Sequence, residues 1–255
     1  MSVTYKIIND VFRGKVYGEH DIFTAQSFRD CVRRHDLDLS RAICAYDEGK
    51  VVGALVFAQR GERAWMSLIG VLPDYRKTGL GRVMLVEAID ALEGTGVRSM
   101  EFEAIVRNEA IHAMYAGFGF NEIDRLCVWA RPARRRARND LVFKKHTLSA
   151  VEAIARKPAT CWQREALGVS RAATLALIEC EGAYAFVRLR ADNAILLDAG
   201  ARDDRAAAEL VRELDRRVPY DLTLLNEPES SPLSAALGRA RWRLIDRQRR
   251  MIRTR

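Results

Sequence analysis

The chain has 255 residues, 49% of them hydrophobic and 30% charged, with a formal net charge of +8. That balance excludes a disordered or collagen-like chain, and the length is comfortable for two compact units of about 120–130 residues. The positive charge points to anionic partners without choosing among nucleotides, nucleic acid and acidic proteins. Five cysteines (Cys31, Cys44, Cys127, Cys161, Cys180) are odd in number and have no C-x-x-C spacing, so they read as small buried hydrophobes of a reducing cytoplasm. Four scattered histidines support no metal cluster, and no apolar run is long enough for a signal-peptide core or a membrane span.

The first 25 residues are mixed, with 12–22 reading as a loop or broken helix. Residues 24–34 predict a helix with Thr24 as N-cap and Phe28, Cys31 and Val32 inward. Strand 40–46, the turn Asp47-Glu48-Gly49-Lys50 and strand 51–58 predict a hairpin, and a turn at 60–63 leads into strand 64–71. A polar turn then opens through Gly79 and Gly81 into a helix over 81–92, apolar at Val83, Leu85, Val86, Ile89 and Leu92. Strand 99–104, a short helix over 109–116, the turn Gly117-Phe118-Gly119-Phe120 and strand 122–130 follow.

The glycine turn is a device for holding an anion. The first N–H groups of a helix have no intrahelical partner and sit at the positive end of its dipole, and glycine lets a phosphate approach them closely. Its spacing is neither G-x-G-x-x-G nor G-x-x-x-x-G-K-[ST]. Arg76-x-x-Gly79-x-Gly81 instead resembles the pyrophosphate-binding motif of the GNAT superfamily of acyl-CoA-dependent N-acetyltransferases. Asn108, Tyr115 and Gly119-Phe120 resemble the second motif of that family, N-x-x-A-x-x-x-Y-x-x-x-G-F, with Ile111 at the usual alanine position and Ala110 beside it. The resemblance covers residues 5–130.

It implies direct transfer of an acyl group from acetyl-CoA, as co-substrate and without a metal, to an amine. The backbone N–H groups of Lys77, Thr78, Gly79, Leu80 and Gly81, assisted by Arg76, would hold the pyrophosphate. Val71 and Leu72 would pair with the pantetheine arm as an added strand. Tyr115 would be the general acid for the leaving sulfur, since a phenol of pKa ~10 can donate to a thiolate of pKa ~8.5. Asn108 would orient the strand end or the pantetheine, or serve only as a helix N-cap. Glu103, with Glu101 on the same strand face, is the candidate base, although a carboxylate of pKa ~4.3 needs burial or a water chain to deprotonate an ammonium. A sheet residue paired to a cation remains the alternative for each carboxylate, and Ser67 and Tyr75 line the same neighbourhood.

Arg131-Pro132-Ala133-Arg134-Arg135-Arg136-Ala137-Arg138 ends the strand and reads as a solvated linker over 131–144, or as a basic patch facing RNA, an acidic protein or a CoA phosphate. Beyond it, helices are predicted over 147–155 and 170–179, strands over 182–190 and 194–199, and an amphipathic helix over 203–218. Strand 222–226, a short helix capped by Ser230-Ser231-Pro232 and ending near Gly238, and strands over 242–246 and 248–252 complete the chain.

This order repeats that of residues 51–130. Asn226-Glu227 stands where Asn108-Glu109 stood, Gly238 matches Gly119, and Ser234 holds the place of Tyr115. Asp198, Asp203 and Asp204 around a single Gly200 would repel a pyrophosphate. The expected fold is therefore α+β. It comprises two GNAT-like domains, each a mixed, mostly antiparallel sheet flanked by helices: a catalytic domain over 1–130 and a degenerate one over 145–255. An unrelated second α/β domain is the other reading. One acetyl-CoA site per chain is expected, with a small-molecule or peptide amine as acceptor. A homodimer and a minority nucleic-acid role are left open. The competing functions are a non-catalytic acyl-CoA-binding module and a basic ribosome-associated protein on the same scaffold.

Overall fold

The computed structural model describes residues 6, 8–10, 23–107, 109–155, 161–190 and 193–255; the predicted loop over 12–22 and Asn108 lie outside them. The chain divides into two compact units. Unit 1 comprises Met1–Glu103, Glu109–Asn121 and Met251–Arg255, and unit 2 comprises Ala104–Asn108 and Glu122–Arg250.

In unit 1, helix α1 (Ala25–His35) starts at a reciprocal cap. Thr24 Oγ1 accepts from the Ser27 N–H, and Ser27 Oγ accepts from the Thr24 N–H. Strands β1 (Ile43–Asp47), β2 (Lys50–Arg60) and β3 (Arg63–Val71) form an antiparallel meander. Its tight turns place Gly49 and Gly61 at positive φ, where glycine has no Cβ penalty. Helix α2 (Leu80–Ala91) follows, then β4 (Ser99–Ile105), parallel to β3, and helix α3 (Glu109–Gly117).

Two contacts fix α2 on the sheet. Met84 lies so close to Gly53 of β2 that a Cβ there would meet its Sδ at 3.0 Å. Arg41 donates through Nη2 to the Ala91 carbonyl at 3.0 Å, on the negative end of the helix. Leu55, Val56, Phe57 and Ala64 of the sheet and Leu85 and Ala88 of α2 are fully buried. The β3–β4 ladder is short: Arg63 pairs with Ser99, Ala64 with Met100 and Trp65 with Glu101, after which the two strands part. That parting opens one edge of β3 from Met66 to Val71.

Unit 2 contains β5 (Asn121–Arg131), β6 (Phe143–Lys144), α4 (Leu148–Ile154), α5 (Ala166–Ser170), β7 (Leu175–Cys180), β8 (Ala183–Leu189) and β9 (Asn193–Ala201). After these come α6 (Asp204–Arg217), β10 (Asp221–Pro228), α7 (Pro232–Arg239) and β11 (Arg243–Thr254). The strand order is β11-β5-β10-β9-β8-β7-β6. On one face Ala207, Leu210, Val211 and Leu214 of α6 pack on Ile178, Ala185, Leu196, Leu222 and Trp242. On the other, Val151 and Val169 pack on Leu175, Phe186 and Leu197.

The two units share a construction. In each, three antiparallel strands lead through a helix to a strand parallel to the third, and then to a second helix. Both even carry a register shift between the second and third strands, at Val56/Phe57 and at Phe186/Val187.

Several sequence expectations are corrected. The predicted helix over 170–179 is mostly strand β7. Ala176 and Ile178 face one core and Leu175 and Leu177 the other, so no polar alternation marks the strand. The two strands predicted over 242–252 are one, β11. The units do not divide at 130. β5 pairs with β10, placing it in unit 2, whereas Met251–Arg255 belongs to unit 1, where the Arg255 N–H donates to the Arg98 carbonyl at 2.9 Å.

The arginine segment is no solvated linker at its start. Arg131 is 3% exposed, and its guanidinium donates to the carbonyls of Pro132, Leu214, Val218 and Tyr220, closing the C-terminus of α6. Asn226-Glu227 lies inside β10, well before α7, whereas Glu109 opens α3, so that detail of the repeat does not hold.

Candidate active site

The turn before α2 is folded by its own backbone. The Tyr75 N–H donates to Leu72 O, the Arg76 N–H to Pro73 O, and Thr78 Oγ1 to Tyr75 O at 2.8 Å. Tyr75 is anchored to β1, its hydroxyl donating to Asp47 Oδ2 at 2.6 Å, a bond that raises the phenol pKa. Lys77 has φ +64°, and Gly79, the N-cap of α2, has φ +88°.

Thr24, Thr147, Asp203 and Ser231 close the starts of α1, α4, α6 and α7 with side-chain oxygens, whereas Gly79 offers none to α2. The leading N–H groups of α2 therefore face outward with the positive end of the dipole. Gly81 is not at positive φ, and a Cβ there would meet only Val71 Cγ2, at 3.9 Å. Nothing in the fold requires glycine at 81. A phosphate brought to the helix start would. The turn thus fits the pyrophosphate of an acyl-CoA.

Arg76 has a role that its charge alone did not suggest. Its Nε donates to Val71 O at 3.1 Å, tying the end of β3 to the turn. Leu72 is already engaged, since its N–H donates to Val52 O at 2.8 Å and its carbonyl accepts from Tyr75. Strand alternation turns the Val71 N–H to the opposite, open edge of β3, so Val71 rather than Leu72 is free to pair with an added strand.

Tyr115, on α3, is 4% exposed and packs against Phe102 of β4 at 4.3 Å and Phe120 at 6.0 Å between ring centroids. Burial pushes its pKa up to about 12, and its hydroxyl has no hydrogen-bond partner among the described residues. The phenol is therefore protonated with its donor unengaged, as a general acid must be, while its raised pKa makes it a weaker acid than a free tyrosine.

The two carboxylates of β4 are held differently. Glu101 is buried against Arg63, Nη1 to Oε1 at 3.4 Å, which is a sheet ion pair. Glu103 accepts from Trp65 Nε1 at 3.0 Å and is half-buried. Trp65 carried no signal in the sequence, because its reach depends on β3–β4 register. Arg82 was also missed. It directly follows Gly81, and its guanidinium stacks over the Phe118 ring at 4.7 Å, adding a fixed positive charge beside the first turn of α2.

In unit 2 the corresponding features are closed. Asp203 Oδ1 accepts from the Ala206 N–H at 2.8 Å, occupying the start of α6 with a negative charge. The β9–β10 ladder ends at Leu196–Leu224, and just beyond it the buried guanidinium of Arg164 bridges the parting strands. Arg164 donates to Asp198 at 2.8 Å, to Glu227 at 2.6 Å, to Asn226 O at 3.0 Å and to Ala199 O. Burial alone would lower its pKa, but Glu227 and Asp198 outweigh this and hold it charged. The expected match of Gly238 to Gly119 does not hold. Gly238 lies inside α7, and Arg241 (φ +59°) takes the turn position of Gly119 (φ +82°). The Trp242 N–H donates to Leu237 O as the Phe120 N–H does to Tyr115 O, so Leu237 rather than Ser234 stands at the place of Tyr115. Ser234 accepts from Trp129 Nε1 at 3.1 Å.

A family model described as the Acetyltransferase (GNAT) family matches residues 2–120. Over 61 residues, 24% of this chain, the sequence is 43% identical to the ribosomal protein bS18-alanine N-acetyltransferase of Escherichia coli strain K12; the match spans 41% of that relative's length. The GCN5-related N-acetyltransferase from Sphaerobacter thermophilus superposes with a TM-score of 0.68 at 13% identity, over 98% of this chain and 91% of the other. The GCN5-related N-acetyltransferase from Anabaena variabilis ATCC 29413 gives 0.54 at 14%, over 99% and 70%. These two likenesses extend the shared fold to the whole chain, and residues 2–120 belong to the GNAT family of acetyltransferases.

Proposed function

We propose that the chain transfers an acetyl group from acetyl-CoA to an amine, using one site in unit 1. The observation that carries this is the uncapped start of α2 at Gly79 and Gly81, where the fold leaves room that no protein atom needs. Arg76, Lys77, Thr78, Gly79, Leu80 and Gly81 would hold the pyrophosphate, and the open edge at Val71 the pantetheine. The bound group supplies a thioester carbonyl and a thiol leaving group.

Tyr115 keeps its proton on the phenol oxygen throughout the neutral range. As the amine nitrogen bonds to the thioester carbon and the C–S bond breaks, it would pass that proton to the sulfur, so that CoA leaves as the thiol. The remaining excess proton of the nitrogen would restore the phenol. Glu103, one oxygen fixed by Trp65, takes the proton of the acceptor ammonium, directly or through water. The likeness to a ribosomal protein alanine acetyltransferase over 61 residues favours peptide or protein amines as the first acceptors to try. The five cysteines are all unpaired, which suits a reducing cytoplasm. The second unit is a degenerate copy of the first whose cleft Arg164 fills.

The test is to supply acetyl-CoA with a panel of small amines, amino acids and alanine-starting peptides, and to measure thiol release and acetylated product. Wild type should turn over at least one acceptor, and Tyr115→Phe should lower kcat by about 10²-fold or more. Binding of acetyl-CoA with no thiol release on any acceptor would reduce the protein to a non-catalytic binder.

A further inference from the structure

Residues 131–140 place five arginines in ten positions, and the structure shows a fixed surface there. The Ala133 N–H donates to Asp221 Oδ1 at 2.6 Å, the Arg134 N–H to Pro219 O at 3.0 Å, the Ala137 N–H to Arg134 O at 2.8 Å and the Arg138 N–H to Arg216 O at 2.8 Å. Together with the buried Arg131 guanidinium, these bonds hold the segment against the end of α6 and the start of β10, all within unit 2.

The carboxylates nearby are already engaged. Asp215 takes Arg131 at 2.8 Å and Arg134 at 3.2 Å, Glu213 takes Arg216, and Asp140 takes Arg217 at 2.8 Å. Arg135, Arg136 and Arg138 are exposed and have no acidic partner among the described residues. Three uncompensated guanidinium groups within four residues repel one another on a backbone that cannot spread them. A ligand with closely spaced fixed negative charges relieves that repulsion.

The guanidinium fork matches phosphate oxygens two at a time, and a pinned segment loses little conformational freedom on docking. A duplex supplies a fixed row of phosphates at one charge per ~1.7 Å of axis, which a rigid arginine turn can meet as it stands. An acidic polypeptide would first have to be ordered. No aromatic residue lies in the tract, so stacking on unpaired bases is not offered. We propose that the turn carrying Arg135, Arg136 and Arg138 is a docking surface for the phosphate backbone of a nucleic-acid duplex, independent of base sequence.

The test uses the full chain and a labelled short RNA duplex, the DNA duplex of the same sequence, and polyglutamate. Binding is followed by fluorescence anisotropy from about 50 to about 200 mM salt. Wild type should bind a duplex with affinity falling steeply with salt, and the preferred duplex identifies RNA or DNA as the source of the phosphates. Replacing all three residues (R135Q, R136Q and R138Q) should reduce the slope of log K against log salt by about 2–3, close to 0.9 per lost phosphate contact. Retention of the melting temperature and of the response to acetyl-CoA shows that this variant is folded. If it is not, Arg136→Gln alone should reduce the slope by about 0.9. No duplex binding at the lowest salt, an unchanged slope in the variant, or tighter binding of polyglutamate than of either duplex would overturn the proposal.

Discussion

Gly81→Glu separates a site requirement from a fold requirement, because the structure assigns the two opposite signs. A Cβ at 81 meets only Val71 Cγ2 at 3.9 Å, and the residue is not at positive φ, so the side chain enters open space without strain. Glutamate in the first turn gains about 0.5 kcal/mol of helix propensity over glycine and a further ~0.5 kcal/mol from the dipole. At roughly 2–4 °C per kcal/mol for a protein of this size, the variant should melt about 2–4 °C above wild type without ligand. With acetyl-CoA at ~100 times its dissociation constant, wild type should gain about 2.7 kcal/mol, or roughly 5–11 °C. The variant should gain nothing, because its carboxylate stands where the pyrophosphate would rest. Differential scanning fluorimetry on the two proteins, each with and without acetyl-CoA, reads all four values. A variant that melts several degrees lower would show Gly81 to be structural. One that shifts as wild type does would place the cofactor elsewhere.

Other outcomes follow from groups described above. Raising the Tyr115 phenol pKa from 10 to about 12 gives a stability contribution that is whole below pH 10 and lost as pH rises to 12. Tyr115→Phe should therefore lose roughly 2–3 kcal/mol less than wild type over that interval, measured by urea titration at each pH. Glu103→Gln keeps an oxygen for Trp65 Nε1, so its melting temperature should stay within about 2 °C of wild type while kcat falls by about 10²-fold or more; retained turnover would remove Glu103 as the base. Arg164→Met leaves Asp198 and Glu227 buried without their cation, at about 3–5 kcal/mol, and should lower the melting temperature by roughly 6–20 °C. An Arg164 variant as stable as wild type would mean that water reaches these carboxylates.

What the sequence revealed was what local physics determines. Glycines at tight turns, Thr24, Asp203 and Ser231 at helix starts, and the turn Asp47-Glu48-Gly49-Lys50 between the two apolar runs of the first hairpin each act over a few residues, and the structure finds them in place. The glycine turn was legible for the same reason. Strand β7 was not, because burial on both faces erases the alternation that identifies a strand. The Trp65–Glu103 bond, the stacking of Arg82 on Phe118 and the bridging by Arg164 join residues brought together only by strand register and packing. Tyr115 was found by its place in a motif, but only the structure shows the aromatic enclosure that keeps it protonated.

The composition of the two units bears on how the chain can be made and cut. Unit 1 includes Met251–Arg255, and unit 2 begins with Ala104–Asn108, inside what would otherwise be the first half. During synthesis, unit 1 emerges long before the segment whose Arg255 N–H meets Arg98 O, so it stays incomplete while unit 2 is being made. A fragment ending at 130 would contain the whole family match and every residue of the anion cradle, yet lack that segment. It would also carry β5 without β10, presenting an unpaired strand edge to other copies. No single cut of the chain therefore leaves both units whole.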